Sequence, residues 1–101
     1  MALDKLYEDK ADEKLSAILH YRISNISSKS ARNFMEEVAA RVATLTEYPE
    51  SGRPSKQNTK EVPLRYITVA GSHRLYYTFD DSTIRVLDFI SAKAGNNPYE
   101  Q

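Results

Sequence analysis

The sequence predicts an α+β domain in which a two-helix hairpin covers a three-stranded antiparallel sheet. Three runs rich in β-branched and aromatic residues lie between Leu64 and Ser91, and only short turn sequences separate them. Two stretches with helical periodicity precede these runs. Because the chain has 101 residues, of which 41% are hydrophobic, we expect a single domain over residues 1–101 with one core.

The three runs have the period of two that is typical of a meander, with turns predicted at Gly71-Ser72 and Asp80-Asp81-Ser82. In the second run, the phase predicted to face the helices is Leu75, Tyr77 and Phe79. The opposite phase is Arg74, Tyr76 and Thr78, and Tyr66 and Tyr76 are expected to be exposed contact residues. The third run is apolar on both faces, which predicts a central strand.

The first predicted helix begins near Asp9, its expected N-cap, and ends between Ile23 and Ile26. Its apolar face is predicted to consist of Ala11, Leu15, Ile18, Leu19 and Ile23. The second is expected to start with Ser28 or Ser30 as cap and to end at Tyr48-Pro49. Its apolar stripe is the most regular pattern in the chain: Ala31, Phe34, Met35, Val38, Val42 and Leu45.

The two ends of the chain have weaker patterns. Residues 1–7 are compatible with a short edge strand or with an irregular lead-in to the first helix. Residues 92–101, with the sequence Gly95-Asn96-Asn97-Pro98, are expected to leave the sheet as loose chain, with Tyr99 as the residue that would tie it down.

Composition argues against several classes of site. Cysteine is absent, so there is no disulfide, no thiolate nucleophile and no cysteine-ligated zinc. The histidines, His20 and His73, are far apart in sequence, and His73 is expected to be a solvated turn residue. We therefore expect no metal or other cofactor. No apolar run approaches the length of a membrane span and no charged leader precedes one, so a cytoplasmic protein is expected.

Charge is balanced overall but locally uneven. The formal net charge is zero, whereas between Arg53 and Arg74 five basic residues face the single acid Glu61. A local patch of this kind favours a binding surface over a protein that binds nucleic acid along its whole length. The plainer interpretation is that Arg65 and Arg74 pair with Asp88 or Glu61. For Arg53, contact with a partner and a local cap on the second helix are equally compatible with its loop position.

Three segments together resemble the RelE/ParE superfamily of bacterial toxins from toxin-antitoxin operons. They are Leu6-Tyr7-Glu8-Asp9-Lys10-Ala11-Asp12-Glu13-Lys14-Leu15, Leu45-Thr46-Glu47-Tyr48-Pro49-Glu50-Ser51-Gly52-Arg53 and Gly71-Ser72-His73-Arg74-Leu75-Tyr76-Tyr77. Each alone is weak, but their order and spacing are those of the superfamily, and the resemblance covers nearly the whole chain. It favours an edge strand for residues 1–7.

The resemblance implies one of two activities. RelE-like members are ribosome-dependent mRNA endonucleases, and here Arg65, Arg74 and Lys93 would be the cations and Tyr99 the proton-transfer group. ParE-like members poison DNA gyrase by binding it. Ser91 stands where many members have histidine, and serine cannot exchange a proton near neutral pH as imidazole can. The neutral charge also departs from that of a protein docking on ribosomal RNA. We favour the ParE-like branch and thus a non-enzymatic inhibitor.

The resemblance also implies a cognate antitoxin whose C-terminal segment wraps the toxin, often on the helical hairpin and at the sheet edge. The residues hypothesised to bind a partner are Arg53, Arg65, Tyr66, Arg74 and Tyr76, and the antitoxin is expected to cross the face that carries Arg65, Arg74 and Tyr76. A third alternative is a degenerate member that binds its antitoxin and is not toxic.

Overall fold

The computed structural model of the protein describes residues 2–101 and has the predicted α+β architecture. Met1, the first residue of the segment predicted as a strand, lies outside the described residues. The elements in chain order are β1 (Asp4–Tyr7), α1 (Asp9–Asn25), α2 (Ser28–Glu47), a 3-10 turn (Pro49–Ser51), β2 (Arg53–Pro54), β3 (Arg65–Val69), β4 (His73–Phe79), β5 (Thr83–Ser91) and a second 3-10 turn (Pro98–Glu100).

The sheet has five strands in the order β1-β5-β4-β3-β2, so the prediction that the last strand is central is confirmed. β1 is the predicted edge strand, and it pairs in parallel with only the first half of β5, Thr83–Val86. The other pairs are antiparallel. β2 was not predicted, because a strand of two residues leaves no periodicity to detect.

Both helix starts lie one residue from their predicted positions. Glu8 rather than Asp9 is the N-cap of α1, because Glu8 still belongs to the strand pairing and donates its backbone N–H to Val86 O at 2.9 Å. Ser27 rather than Ser28 or Ser30 caps α2, and its side chain accepts the Ser30 backbone N–H at 3.0 Å. The serine-rich loop offers several equivalent caps, so the sequence does not distinguish them.

The core lies between α2 and the sheet. The α2 stripe is buried as predicted at Ala31, Phe34, Val38, Val42 and Leu45, and these side chains meet Leu75, Tyr77, Ile84, Val86 and Phe89. Two predicted core residues are exposed instead: Met35 by 38% and Ile23 by 56%. Ile23 lies in the last turns of α1, whereas the fully buried residues of that helix, Ala11 and Leu15, are in its first half.

The second resembling segment forms a tight corner between α2 and the sheet. The Tyr77 hydroxyl donates to Pro49 O at 2.7 Å and accepts the Gly52 backbone N–H at 3.0 Å. A Cβ atom at Gly52 would meet the Tyr77 hydroxyl and would come within 2.9 Å of Tyr66 O. The glycine is therefore required by a close approach of the tyrosine side chain.

The register between β3 and β4 decides which residues share a face, because directly opposite residues point to the same side of a sheet. Tyr66 lies opposite Tyr76, whereas Arg65 lies opposite Tyr77, a core residue. The prediction that Arg65 shares a face with Arg74 and Tyr76 is therefore wrong. Arg65 is on the helix side, where its guanidinium donates to Gly52 O at 2.8 Å.

No helix in residues 2–101 has both the length and the apolarity that a membrane span requires. Within the same residues, no group of three or more histidine or acidic side chains is arranged to hold a metal ion.

Candidate functional site

The face of the sheet turned away from the helices is covered by the chain's own C-terminal segment. We call the surface formed by Tyr66, Arg74, Tyr76 and Asp88 the tail-covered face. Tyr76 has no solvent exposure there, so the prediction of an exposed contact residue is wrong for Tyr76. The segment predicted as loose chain lies over it, held by the 3-10 turn Pro98–Glu100.

Aromatic stacking holds this cover in place. The Tyr99 ring stacks on the Tyr76 ring with centroids 4.5 Å apart and an interplanar angle of 20°. Tyr66 lies on the sheet beside Tyr76 at 5.4 Å, and the Arg74 guanidinium carbon is 4.2 Å from the centre of the Tyr66 ring. The result is a continuous array of three rings with a cation at one end.

The Glu100 carboxylate also holds the C-terminal segment on this face. Its Oε2 accepts the Tyr76 hydroxyl at 2.7 Å and lies 3.7 Å from Arg74 Nη1, and its Oε1 accepts the Lys56 backbone N–H at 3.2 Å. Burial and then the hydrogen bond to Glu100 raise the pKa of Tyr76. The Tyr76 hydroxyl therefore keeps its proton near neutral pH and acts as a donor to the carboxylate.

Asp88 is the fully buried charge of this face. Lys10 Nζ and Lys14 Nζ, one helical turn apart on α1, each lie 3.3 Å from a different carboxylate oxygen. The Phe89 backbone N–H donates to Asp88 at 2.8 Å and the Tyr99 hydroxyl at 2.9 Å. α1, the sheet and the tail thus meet at one carboxylate, which satisfies the requirement that a buried charge be paired.

The interpretation that Arg65 and Arg74 pair with Asp88 or Glu61 is wrong, because Asp88 pairs with Lys10 and Lys14 and Arg74 pairs with Glu100. Two signals in the sequence pointed to the observed pairing. Asp88 is the only carboxylate in the apolar run of β5, and a lone acid in a buried strand needs partners. Lys10 and Lys14 have the spacing that places two side chains on the same side of a helix.

Of the residues proposed for RNA cleavage, Arg74 and Tyr99 both contact Tyr76 on the tail-covered face, whereas Arg65 and Lys93 lie elsewhere. Arg65 is on the helix side of the sheet, Lys93 is an exposed residue after β5, and Arg74 is paired with Glu100. Burial, and then the hydrogen bond to Asp88, raise the pKa of Tyr99 well above its usual value. Tyr99 therefore keeps its proton near neutral pH and bonds to a structural carboxylate.

Of the residues hypothesised to bind a partner, Arg53 and Tyr66 are directly opposite each other and share a face with Arg74 and Tyr76. Arg53 is exposed and Tyr66 is half-buried, so these two are accessible beside the tail. Arg65 is separated from them by the sheet.

A second candidate surface is an apolar groove of about 530 Å³ between the second half of α1 and the adjoining ends of β4 and β5. We call it the hairpin groove. Its lining residues carry two cations and no carboxylate: Lys14, Ala17, Ile18, Tyr21, Arg22, Ile26, Ser72, His73, Phe89 and Ser91. Tyr21 and Ile26 are each 63% exposed, which is high for large apolar side chains.

His73 forms the floor of the hairpin groove. Its ring packs edge-on against Phe34 with centroids 5.6 Å apart, so the prediction of a solvated turn residue is wrong. Burial, followed by the nearby cations Arg22 and Lys14, lowers the pKa of His73. Ser91 lies directly opposite His73 and is exposed.

Comparisons with known proteins agree with this architecture. A family model described as ParE toxin of type II toxin-antitoxin system, parDE, matches residues 6–94. The fold is similar to the chromosomal ParDE toxin-antitoxin system from P. aeruginosa, with a TM-score of 0.72, 16% identity, and coverage of 91% of this chain and 98% of that chain. It is also similar to the E. coli DinJ-YafQ toxin-antitoxin complex, with a TM-score of 0.60, 11% identity, and coverage of 96% and 100%. No curated protein matches.

Proposed function

This chain belongs to the ParE toxin family of type II toxin-antitoxin systems, and from that premise we propose that it inhibits DNA gyrase by binding it and that a cognate antitoxin neutralises it. The observation that carries the proposal is the family match, which spans residues 6–94. The proposed target is a bacterial enzyme that acts on the chromosome, so the protein would work in the cytoplasm.

The arrangement of the polar groups supports a binding mechanism over RNA cleavage. General acid-base cleavage needs a group whose pKa lies near the working pH and which can reach the reacting proton. The Tyr99 hydroxyl is bonded to Asp88 and its pKa is raised, and Ser91 offers no imidazole. Arg65 and Arg74, two of the three cations expected to act together, lie on opposite faces of the sheet.

For the antitoxin we propose contact with both candidate surfaces. The hairpin groove combines apolar walls with Arg22 and with Lys14, which also pairs with Asp88, and Arg22 suits an amphipathic segment that carries acidic residues. On the other face, Arg53, Tyr66 and Arg74 form a basic and aromatic rim next to the tail.

Charge reversal tests the role of the rim. Arg74→Glu would place a negative charge where the proposed partner brings acidic side chains, and we expect it to weaken antitoxin binding by at least about 1 kcal/mol. Lys60→Glu, which makes the same charge change on an exposed loop, is the matched control. Calorimetric titration of the folded variants measures both affinities, and an unchanged affinity for Arg74→Glu would remove Arg74 from the interface.

Expression in bacteria tests the proposed target. Induction of the chain without antitoxin is expected to stop growth, relax plasmid DNA and leave translated mRNA intact in primer-extension assays. Cuts positioned on codons with normal supercoiling would replace the proposal by the endonuclease alternative. Normal growth with confirmed soluble expression would indicate a member that binds its antitoxin without toxicity.

A further inference from the structure

The C-terminal segment occupies the tail-covered face in the manner of a bound peptide. Three side chains of the segment contact the same tyrosine. The Asn97 amide donates to the Tyr76 hydroxyl at 2.9 Å, and the Tyr99 ring stacks on the Tyr76 ring. Glu100 accepts a hydrogen bond from the Tyr76 hydroxyl. A short segment thus places an aromatic ring and a carboxylate side by side on the sheet.

The sheet supplies matching chemistry. Two hydrogen bonds and one ion pair meet at the Glu100 carboxylate. The Tyr76 hydroxyl and the Lys56 backbone N–H donate to it, and Arg74 Nη1, which donates to the Tyr76 hydroxyl oxygen at 3.2 Å, lies 3.7 Å from it. The Tyr99 ring stacks on the flat face of the Tyr76 ring, and the Tyr99 hydroxyl donates a hydrogen bond to Asp88. In the chain's own tail, the residues that meet these groups are an aromatic side chain, Tyr99, and the acid that follows it, Glu100.

The covering segment is held by polar and aromatic contacts of residues 97–100. No residue of its 3-10 turn is fully buried, and no aliphatic side chain of the turn enters the core. Gly95 and Asn96, which connect it to the rest of the chain, are exposed, and nothing lies within 4 Å of the position of a Cβ at Gly95. Release of the segment therefore leaves the apolar core between the helices and the sheet intact.

We propose that the tail-covered face is a peptide-binding site which the chain's own C-terminal segment closes, and that it takes an acidic segment of a partner protein with an aromatic residue next to a carboxylate. Charge complementarity supports this occupant, because Arg74 and the Lys56 backbone N–H both face the carboxylate position. If the partner is the antitoxin, the inference rests on the proposed function. The test below uses neither antitoxin nor gyrase, so the two proposals can fail separately.

The chain's own tail, supplied as a separate peptide, is the probe. The peptide has the sequence of residues 95–101, Gly-Asn-Asn-Pro-Tyr-Glu-Gln, and its binding is followed by amide chemical shifts in the full-length protein. In the double variant Tyr99→Ala/Glu100→Gln the attached tail is weakened, and we expect the peptide to bind with a Kd of about 0.1 mM, tenfold below the millimolar effective concentration that a short tether gives the attached tail. Wild type should bind it at least about tenfold more weakly, because its site is already filled.

Two controls isolate the site. The variant Tyr48→Ala/Glu36→Gln removes the same chemical groups from exposed positions elsewhere and should bind the peptide as weakly as wild type. A peptide in which the tyrosine is alanine or the glutamate is glutamine should lose most of its affinity for the Tyr99→Ala/Glu100→Gln variant. The shifts should centre on Tyr66, Arg74 and Tyr76.

The spectrum of the free double variant also reports whether it folds. If it does not, Glu100→Gln alone, which keeps the Tyr99 stack, replaces it and should bind the peptide more tightly than wild type by a smaller factor. Equal binding to wild type and to the folded variant, or no binding to the variant at peptide concentrations of several millimolar, would overturn the proposal. The tail would then be a fixed part of the fold.

Discussion

At the scale of single residues, His73 links the hairpin groove to the core. Its ring packs on Phe34, and its Nδ1 lies 2.8 Å from the Ser72 hydroxyl oxygen. The groove also brings Arg22 and Lys14 near it, so both burial and these charges disfavour the protonated imidazole. The folded protein therefore favours neutral His73.

This preference predicts a loss of stability on acidification. The unfolded chain binds a proton at His73 near the ordinary pKa of about 6.5, whereas the pKa in the folded state is lower. Stability is then complete above about pH 6.5 and falls as the pH is lowered toward the folded-state value, since the unfolded state binds more protons in that window.

Urea unfolding at pH 7.5 and pH 5.5 measures the effect. We expect His73→Phe, which retains an aromatic ring against Phe34, to lose less free energy of unfolding between the two values than wild type. His20→Gln, at an exposed position of α1, is the matched control and should keep the wild-type difference. The same pH dependence in His73→Phe as in wild type would refute this account of His73.

Part of the tail-covered face could be predicted from the identities of its residues. Tyr99 was identified as the residue that would tie down the tail, and it does so through the Tyr76 stack and Asp88. What could not be predicted is that Asp88 joins α1, β5 and the tail, because its partners come from segments far apart in the chain. Long-range pairing of this kind has no local periodicity.

At the scale of elements, one turn explains the incorrect placement of Arg65. A two-residue turn at Gly71-Ser72 would place Arg65 opposite Thr78 and so on the face of Arg74. The connection instead has three residues, because Val69 pairs with His73, and this shift by one residue moves Arg65 to the helix side. Ala70 and Gly71 have φ values of 54° and 67°, and the left-handed conformation of the alanine was not evident from the sequence.

The corner at Gly52 gives the segment Leu45–Arg53 a structural role that its resemblance alone did not explain. Gly52→Ala would force its Cβ against the Tyr77 hydroxyl and to 2.8 Å from Tyr77 Cε1. Since Tyr77 is fully buried and cannot move aside freely, we expect a loss of about 1–3 kcal/mol in the free energy of unfolding. Chemical denaturation measures the loss.

Gly95→Ala is the control for that experiment, because a Cβ at Gly95 would meet nothing within 4 Å. We expect its free energy of unfolding to stay within about 0.5 kcal/mol of wild type. Equal stabilities for the Gly52→Ala and Gly95→Ala variants would show that the close approach of Tyr77 is not what requires the glycine.

At the scale of the whole molecule, the sequence was sufficient for the two helices and the three-stranded meander because each of these elements has its own periodicity. The α2 stripe and the alternation in β4 and β5 predicted the layers, and the resemblance favoured the edge strand β1. The two candidate surfaces were harder to predict. The tail-covered face depends on a segment without periodicity, and the hairpin groove is formed where helix and sheet diverge.

The two surfaces lie on different parts of the molecule, the hairpin groove beside α1 and the tail-covered face on the opposite side of the sheet. A toxin that is both inhibitory and regulated needs contacts with a target and with an antitoxin. Two separate surfaces allow an antitoxin to hold one while it obstructs the other.

The central claim is that this ParE-family toxin acts on gyrase by binding. The most direct measurement is a supercoiling assay with purified gyrase, relaxed plasmid and ATP, to which the purified chain is added with and without its antitoxin. We predict that the chain alone blocks supercoiling and accumulates cleaved DNA-gyrase complexes, and that prior addition of antitoxin restores activity. Full supercoiling with no cleaved complexes, at a folded-toxin concentration well above that of gyrase, would contradict the account.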